Sequence, residues 1–144
     1  MAKRIGKYKV SKKESALSTL DGGSITGNLF VNAGLALGTE SIGAAGALST
    51  TIPISLVTAA GADQAQTLAD GSTVGQIKIL YAVSTANSWK CTPASTDGEW
   101  AKITFTTIGE NAILVWSGSG WSVLSRGGGG NANGTTTALT GIVA

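Results

Sequence analysis

The 144-residue chain predicts an all-β protein: a short-strand β-sandwich or barrel domain with an extended N-terminal arm and a C-terminal tail, assembled as a trimer. Three observations carry this. Between residues 47 and 126, alternating runs of roughly five to nine residues are separated by turn dipeptides, as in a sandwich or barrel. Nowhere does an apolar period near about 3.6 persist long enough for a helix. Six of the ten basic residues, Lys3, Arg4, Lys7, Lys9, Lys12 and Lys13, precede the first acid, Glu14, so a charged leader stands apart from a charge-poor body.

The arm comprises residues 1–20. It carries six positive charges, whereas from Glu14 onward four basic residues face eight acidic ones. A cationic leader of this kind seeks a negatively charged surface while the body carries the fold. Val10, Ala16, Leu17 and Leu20 are too sparse to define a core, so the arm is expected to order on a partner. Nucleic acid would profit from aromatics or arginines among the lysines, and only Tyr8 and Arg4 are present. An acidic protein surface is therefore favoured over DNA, with a merely solubilising tail as the third reading.

Residues 21–46 are rich in Gly, Asn and Ser. Gly27-Asn28-Leu29-Phe30-Val31-Asn32 is followed by Ala33-Gly34-Leu35-Ala36-Leu37-Gly38, a six-residue period with aliphatics two apart. Each unit reads as a very short strand with unpaired edges, and three copies wound around one axis would satisfy those edges. Leu29, Val31, Leu35 and Leu37 are the candidate trimer contacts, together with one face of the β domain. A flexible Gly-rich linker is the competing reading.

The β domain, residues 47–126, opens with a strand over 51–58, which Pro53 places at an edge or at its own beginning. A strand over 64–68 ends in an Asp70-Gly71 turn. In 76–83, Ile77, Ile79, Tyr81 and Val83 alternate on one face, and that face is expected to be buried. Strands follow at 89–92, 99–107, 112–116 and 121–124, the last two forming a hairpin about Gly118-Ser119-Gly120. Residues 127–144 begin with four glycines as a swivel, then offer an apolar-alternating tail over 135–143 suited to strand addition on a neighbour, a frayed terminus being the alternative.

The inventory disfavours catalysis. The chain has no histidine, which removes the commonest general base and the Ser/His/Asp and Cys/His schemes. Cys91 is the single cysteine, so neither an intrachain disulfide nor a Cys/His metal site is expected, and no cofactor is expected either. Asp97 and Glu99 read as turn residues. The run 129–135 lacks both the lysine and the strand–helix scaffold of a phosphate loop. Trp100 and Trp116 sit within alternating strands, while Trp89 and Trp121 lie beside turns, where exposure as a glycan platform is open; core or interface is the favoured reading of all four.

Only 12% of residues are charged, against about 25% in a typical soluble domain, which suggests surfaces covered by other subunits. Behind the basic N-terminus there is no apolar run of about 7 to 15 residues, so it does not read as a secretory signal. No stretch reaches the roughly 18 apolar residues of a membrane span. The expectation is synthesis in the cytosol with no membrane association.

Certain segments resemble known ones. Arg4-Ile5-Gly6-Lys7-Tyr8-Lys9-Val10-Ser11, Glu14-Ser15-Ala16-Leu17-Ser18 and Asp21-Gly22-Gly23-Ser24-Ile25-Thr26-Gly27-Asn28-Leu29 resemble N-terminal segments of virion structural proteins from tailed bacteriophages, particularly phages of cyanobacteria. Leu68-Ala69-Asp70-Gly71-Ser72-Thr73-Val74-Gly75-Gln76-Ile77-Lys78, Ile103-Thr104-Phe105, Trp116 and Gly120-Trp121 resemble the same group. The resemblance implies a non-enzymatic homotrimer on the capsid surface, a decoration or cement protein assembled in the host cytoplasm. Its β domain would cap local three-fold positions, and its extensions would lace major capsid protein subunits together. Lys3, Arg4, Lys7, Lys9, Lys12 and Lys13, aided by Tyr8, would be the anchors. The alternatives are a head or tail fibre binding host surface glycans through Trp89 or Trp121, and an internal protein using its arm on packaged DNA.

Overall fold

The first six strands wind instead of meandering. In the computed structural model, which describes residues 31–84 and 87–128, the chain divides into a unit of Met1–Leu35 and a unit of Ala36–Ala144. Of the first unit only residues 31–35 are described, and they carry no strand. In the second, β1 (Thr39–Ile42), β3 (Ile54–Thr58) and β5 (Ile77–Ser84) lie parallel in one sheet. β2 (Gly46–Leu48), β4 (Gln64–Leu68) and β6 (Trp89–Pro93) lie parallel in a second. The chain thus passes from first sheet to second three times, each passage laying one rung beside the last.

Antiparallel strands close the coil. β7 (Ile103–Phe105) pairs with β6, β8 (Asn111–Trp116) pairs with β5, and β9 (Trp121–Gly127) folds back on β8. The five-stranded first sheet has the order β1-β3-β5-β8-β9 and the four-stranded second sheet β2-β4-β6-β7. The expectation of an all-β chain holds, with no helix among the described residues. The two sheets are mixed, and neither closes into a barrel.

The connections between strands and the N-terminal limit of the sheets are as follows. The turn after residue 70 does not close a hairpin: β4 and β5 belong to different sheets, because parallel neighbours need a crossover and here a strand of the other sheet supplies it. β1 and β2 also carry the sheets further towards the N-terminus than residue 47. Pro53 does sit just before its strand, where no ladder donor is required of it. The β8–β9 hairpin forms as the glycines suggest. Gly118 has φ +108, a left-handed conformation that a side chain resists. Gly120 passes so close to the chain at residues 96 and 97 that a Cβ would stand 2.5 Å from the Thr96 carbonyl carbon.

Both sheets contribute to one core. Val57, Leu80, Ala82, Ala112, Leu114, Trp116 and Trp121 enter it from the first sheet, and Leu48, Leu68, Trp89, Cys91, Ile103 and Phe105 from the second. Trp89 stacks on Phe105, with ring centroids 4.0 Å apart and planes 8° from parallel. Trp116 and Trp121 meet edge to face at 5.5 Å. Offset or edge-on aromatic pairs of this kind add roughly 0.5–1.5 kcal/mol to what their burial supplies.

The largest departure from the sequence expectation is the orientation of β5. Lys78, Leu80 and Ala82 point inward, with Lys78 at 0% exposure, while Ile77, Tyr81 and Val83 remain 38%, 38% and 40% exposed. The face expected inside is outside. The reason is the polar cluster that Lys78 completes. Its ammonium donates to Glu40 Oε1 at 2.8 Å, to the Ser49 carbonyl at 2.7 Å and to the Ile52 carbonyl at 2.8 Å, which uses all three protons. Glu40 also accepts from the Ser49 N–H at 3.0 Å and from the Ser55 hydroxyl. Rung one (Glu40), rung two (Ser55) and rung three (Lys78) are thereby tied together, along with the 49–52 turn. Turning β5 over would leave that turn's carbonyls and the Glu40 carboxylate without their cation.

Candidate interaction surface

The exposed apolar side chains of β5 form part of a continuous outer face. Ladder register places Ile54, Ile79 and Ile113 in one row across β3, β5 and β8. Leu56, Tyr81 and Asn111 form the next row, and Ile77 and Val115 lie side by side beyond the first. Ile54, Leu56, Ile79, Ile113 and Val115 are half-buried by their neighbours, and each presents the rest of its side chain outward. No charged residue lies on this face of β3, β5 or β8. Towards the edges hydroxyls enter: Thr39 and Ser41 on β1 flank Ile54 and Leu56, while Ser122 and Ser125 on β9 flank Val115 and Ile113, with Leu124, 61% exposed, at the bulge between them.

At the C-terminal ends of β1, β3 and β5 the face dips into a groove of about 230 Å³ lined by Ser41, Ile42, Gly43, Leu56, Thr58 and Val83. Its polar side chains are hydroxyls alone. From strand rise and spacing, the apolar strip measures roughly 20 Å by 14 Å, about 300 Å². Covering that area would contribute up to roughly 7 kcal/mol of hydrophobic free energy before the entropic cost of association. A patch of about 300 Å² is the size of the largest apolar patch on an ordinary monomer, and such patches are often functional.

The second sheet turns a different face outward. Ala47, Thr67 and Thr92 form one row, and Ala65, Lys90 and Thr104 another. Those side chains are small, polar or charged and suit water.

The other singled-out residues fall as follows. Trp89 and Trp121, considered as a glycan platform, are each 0% exposed and cannot stack on a sugar. Their positions beside turns misled: Trp89 opens β6 on the same inward parity as Cys91, and Trp121 opens β9 with its indole N–H donating to the Ala69 carbonyl at 2.9 Å. Trp100 is half-buried against the core, its Nε1 donating to the Asp97 carbonyl at 3.0 Å. Val31, Leu35 and Leu37 are exposed, whereas Leu29 and the arm residues Lys3, Arg4, Lys7, Tyr8, Lys9, Lys12 and Lys13 lie outside the described residues, as do the run 129–135 and the tail.

Few groups offer reactive chemistry. Burial pushes the Cys91 thiol up to about 12, countered only in part by Lys78, so it stays protonated and inert at neutral pH. The Asp97 carboxyl is held below its ordinary value by hydroxyls, Ser117 first and then Ser119 and Ser122, against some desolvation. It fastens the 117–122 hairpin to the 97–100 loop, accepting from Ser119 Oγ at 3.0 Å and Ser122 Oγ at 3.3 Å. No group of three or more His, Cys, Asp or Glu stands together as a metal site among the described residues. No helix among them is long and apolar enough to cross a membrane. No protein-family model matches the chain, and no curated protein matches it.

Proposed function

We propose that this chain is a non-enzymatic virion structural protein, a capsid decoration or cement protein that forms a homotrimer on a tailed-phage head and laces major capsid protein subunits together. The observation that carries the assembly half of this reading is the uncharged apolar outer face of the first sheet, which the described residues of a solitary chain leave open to water. The resemblance of its segments to phage virion proteins supports the location. Loss of the two indoles from the surface removes the residues on which a glycan-binding fibre would have relied.

In this role the body supplies self-association and the arm supplies attachment. Lys3, Arg4, Lys7, Lys9, Lys12 and Lys13, with Tyr8 among them, bring six positive charges per chain to an acidic shell surface. Three linked arms engage together, so contacts that are individually weak become collectively strong and must break together when packaged DNA presses the shell apart. The test uses phage heads stripped of the protein and challenged with heat. Adding the full chain should restore survival, and a variant with Lys3, Lys7, Lys9 and Lys12 changed to Glu should stay trimeric yet fail to bind. Heads that neither bind nor gain heat resistance would refute the reading, and salt-dependent binding of the arm to duplex DNA instead would move the protein inside the shell.

A further inference from the structure

We infer that the outer face of the first sheet is where copies of this chain meet, three at a time, about an axis running along β5. The inference deepens the homotrimer part of the proposal above and is independent of attachment to a phage head.

The composition of the strand is the first reason. β5 reads Ile-Lys-Ile-Leu-Tyr-Ala-Val-Ser, apolar on both parities apart from the satisfied Lys78 and the terminal serine. Near-continuous apolar runs belong to strands covered on both faces. The core covers one face of β5, and among the described residues of a single chain nothing of comparable character covers the other.

The chemistry of the face selects the occupant. It carries no charged side chain, and its polar groups near the centre are the Tyr81 hydroxyl and the Asn111 amide. An acidic peptide, a nucleic acid or a sugar would meet no complementary set of donors and acceptors. Another copy brings the same uncharged surface, so association buries no unpaired charge.

The width of the strip selects the symmetry. Packed sheets stand about 10 Å apart, so sheets facing a common axis stand about 5 Å from it. Three sheets at that distance enclose a triangle with sides of about 17 Å, spanned by three to four strands at their usual spacing. The apolar strip centres on three strands, β3, β5 and β8, and gives way to Thr39 and Ser41 on one side and, apart from the bulged Leu124, to Ser122 and Ser125 on the other. Two sheets packed face to face would bury all five strands and trap those hydroxyls. Around a three-fold axis, β5 lines the centre and the hydroxyl-bearing edges fall at the corners, within reach of water.

The test is the molar mass of the full chain at micromolar concentration by sedimentation or light scattering. Wild type should have three chain masses. Ile79→Lys and Tyr81→Glu should each reduce this to one while keeping the near-ultraviolet signal of the buried tryptophans, and Thr67→Lys on the outer face of the second sheet should remain trimeric. A monomeric or dimeric wild type, or trimers that persist in both first-sheet variants, would overturn the inference. Should either charged variant lose its tryptophan signal, Ile79→Cys replaces it: oxidation should give disulfide-linked pairs on a denaturing gel, with none from Thr67→Cys, and equal linkage at both positions would overturn it. A trimer that passes these tests but ignores phage heads would remove the cement role and leave this interface standing.

Discussion

The two sheets share a core and part company on their outer faces. The first presents Ile54, Leu56, Ile77, Ile79, Tyr81, Val83, Ile113 and Val115, where the second presents Ala47, Ala65, Thr67, Lys90, Thr92 and Thr104. Both inner faces also carry polar groups. The first sheet buries Lys78 and Ser55 and half-buries Glu40, and the second buries Gln64 and Gln66 beside its aromatics. Inside and outside therefore cannot be told apart in the first sheet by hydrophobicity alone. A water-facing outer side lacks large apolar side chains, as the second sheet's does; on a side covered from outside, the placement of polar groups is decided by which of them can find partners.

The orientation of β5 is the point at which this contrast breaks most readily. With Lys78 inside, Lys78→Met strips a cation from Glu40 and from two carbonyls and should lower the unfolding free energy by about 3–5 kcal/mol, as removing one member of a buried pair does. Urea unfolding at fixed protein concentration measures this, since self-association adds to apparent stability. Were Ile77 and Ile79 inside instead, Lys78 would be an ordinary surface residue and the change would fall within about 0.5 kcal/mol.

A smaller effect with a defined sign follows from Glu40. Burial raises its proton affinity, but the Lys78 ammonium and the Ser55 and Ser49 bonds outweigh this and hold the carboxyl below its ordinary value of 4.5. The folded state thus binds fewer protons than the unfolded state in the window just below pH 4.5. The stabilisation is fully present above that pH and is lost as pH falls through the lowered folded-state value. The thermal midpoint of the wild type should drop across this window, and Glu40→Gln, already less stable at neutral pH, should show a shallower drop. An identical slope in the two proteins would separate Glu40 from the cluster.

Much of the strand inventory was legible because turn residues punctuate it. The strands at 64–68, 89–93 and 111–116 sit within a residue of where alternation and glycines put them. Their pairing was not legible. Successive rungs are separated by 15 residues between Thr39 and Ile54 but by 25 between Ile54 and Ile79, so the coil leaves no fixed period in the sequence.

The faces were misread for related reasons. Ile77, Ile79, Tyr81 and Val83 outweigh Lys78, Leu80 and Ala82 in apolar bulk, and only the distant partners Glu40, Ser49 and Ile52 decide the matter. The signal present in the sequence was that both parities of β5 are apolar, the mark of a doubly covered strand. Trp89 and Trp121 were ambiguous because a strand's first residue can face either way. Parity with Cys91 points Trp89 inward, and nothing comparably local marks Trp121, whose anchor is the Ala69 carbonyl 52 positions away.

The comparison between the two outer faces is tested most directly by asking water which one it reaches. Because the Cys91 thiol is buried and titrates only at about 12, a cysteine introduced at the surface is the one reactive thiol among the described residues. Tyr81→Cys on the first sheet and Thr92→Cys on the second are exposed to similar solvent in a lone chain, so their rates of native labelling at micromolar protein report cover by other copies. Burial between copies predicts slow labelling at position 81 that speeds up on dilution, and fast, concentration-independent labelling at position 92. Equal, rapid labelling at both positions at every concentration would contradict it.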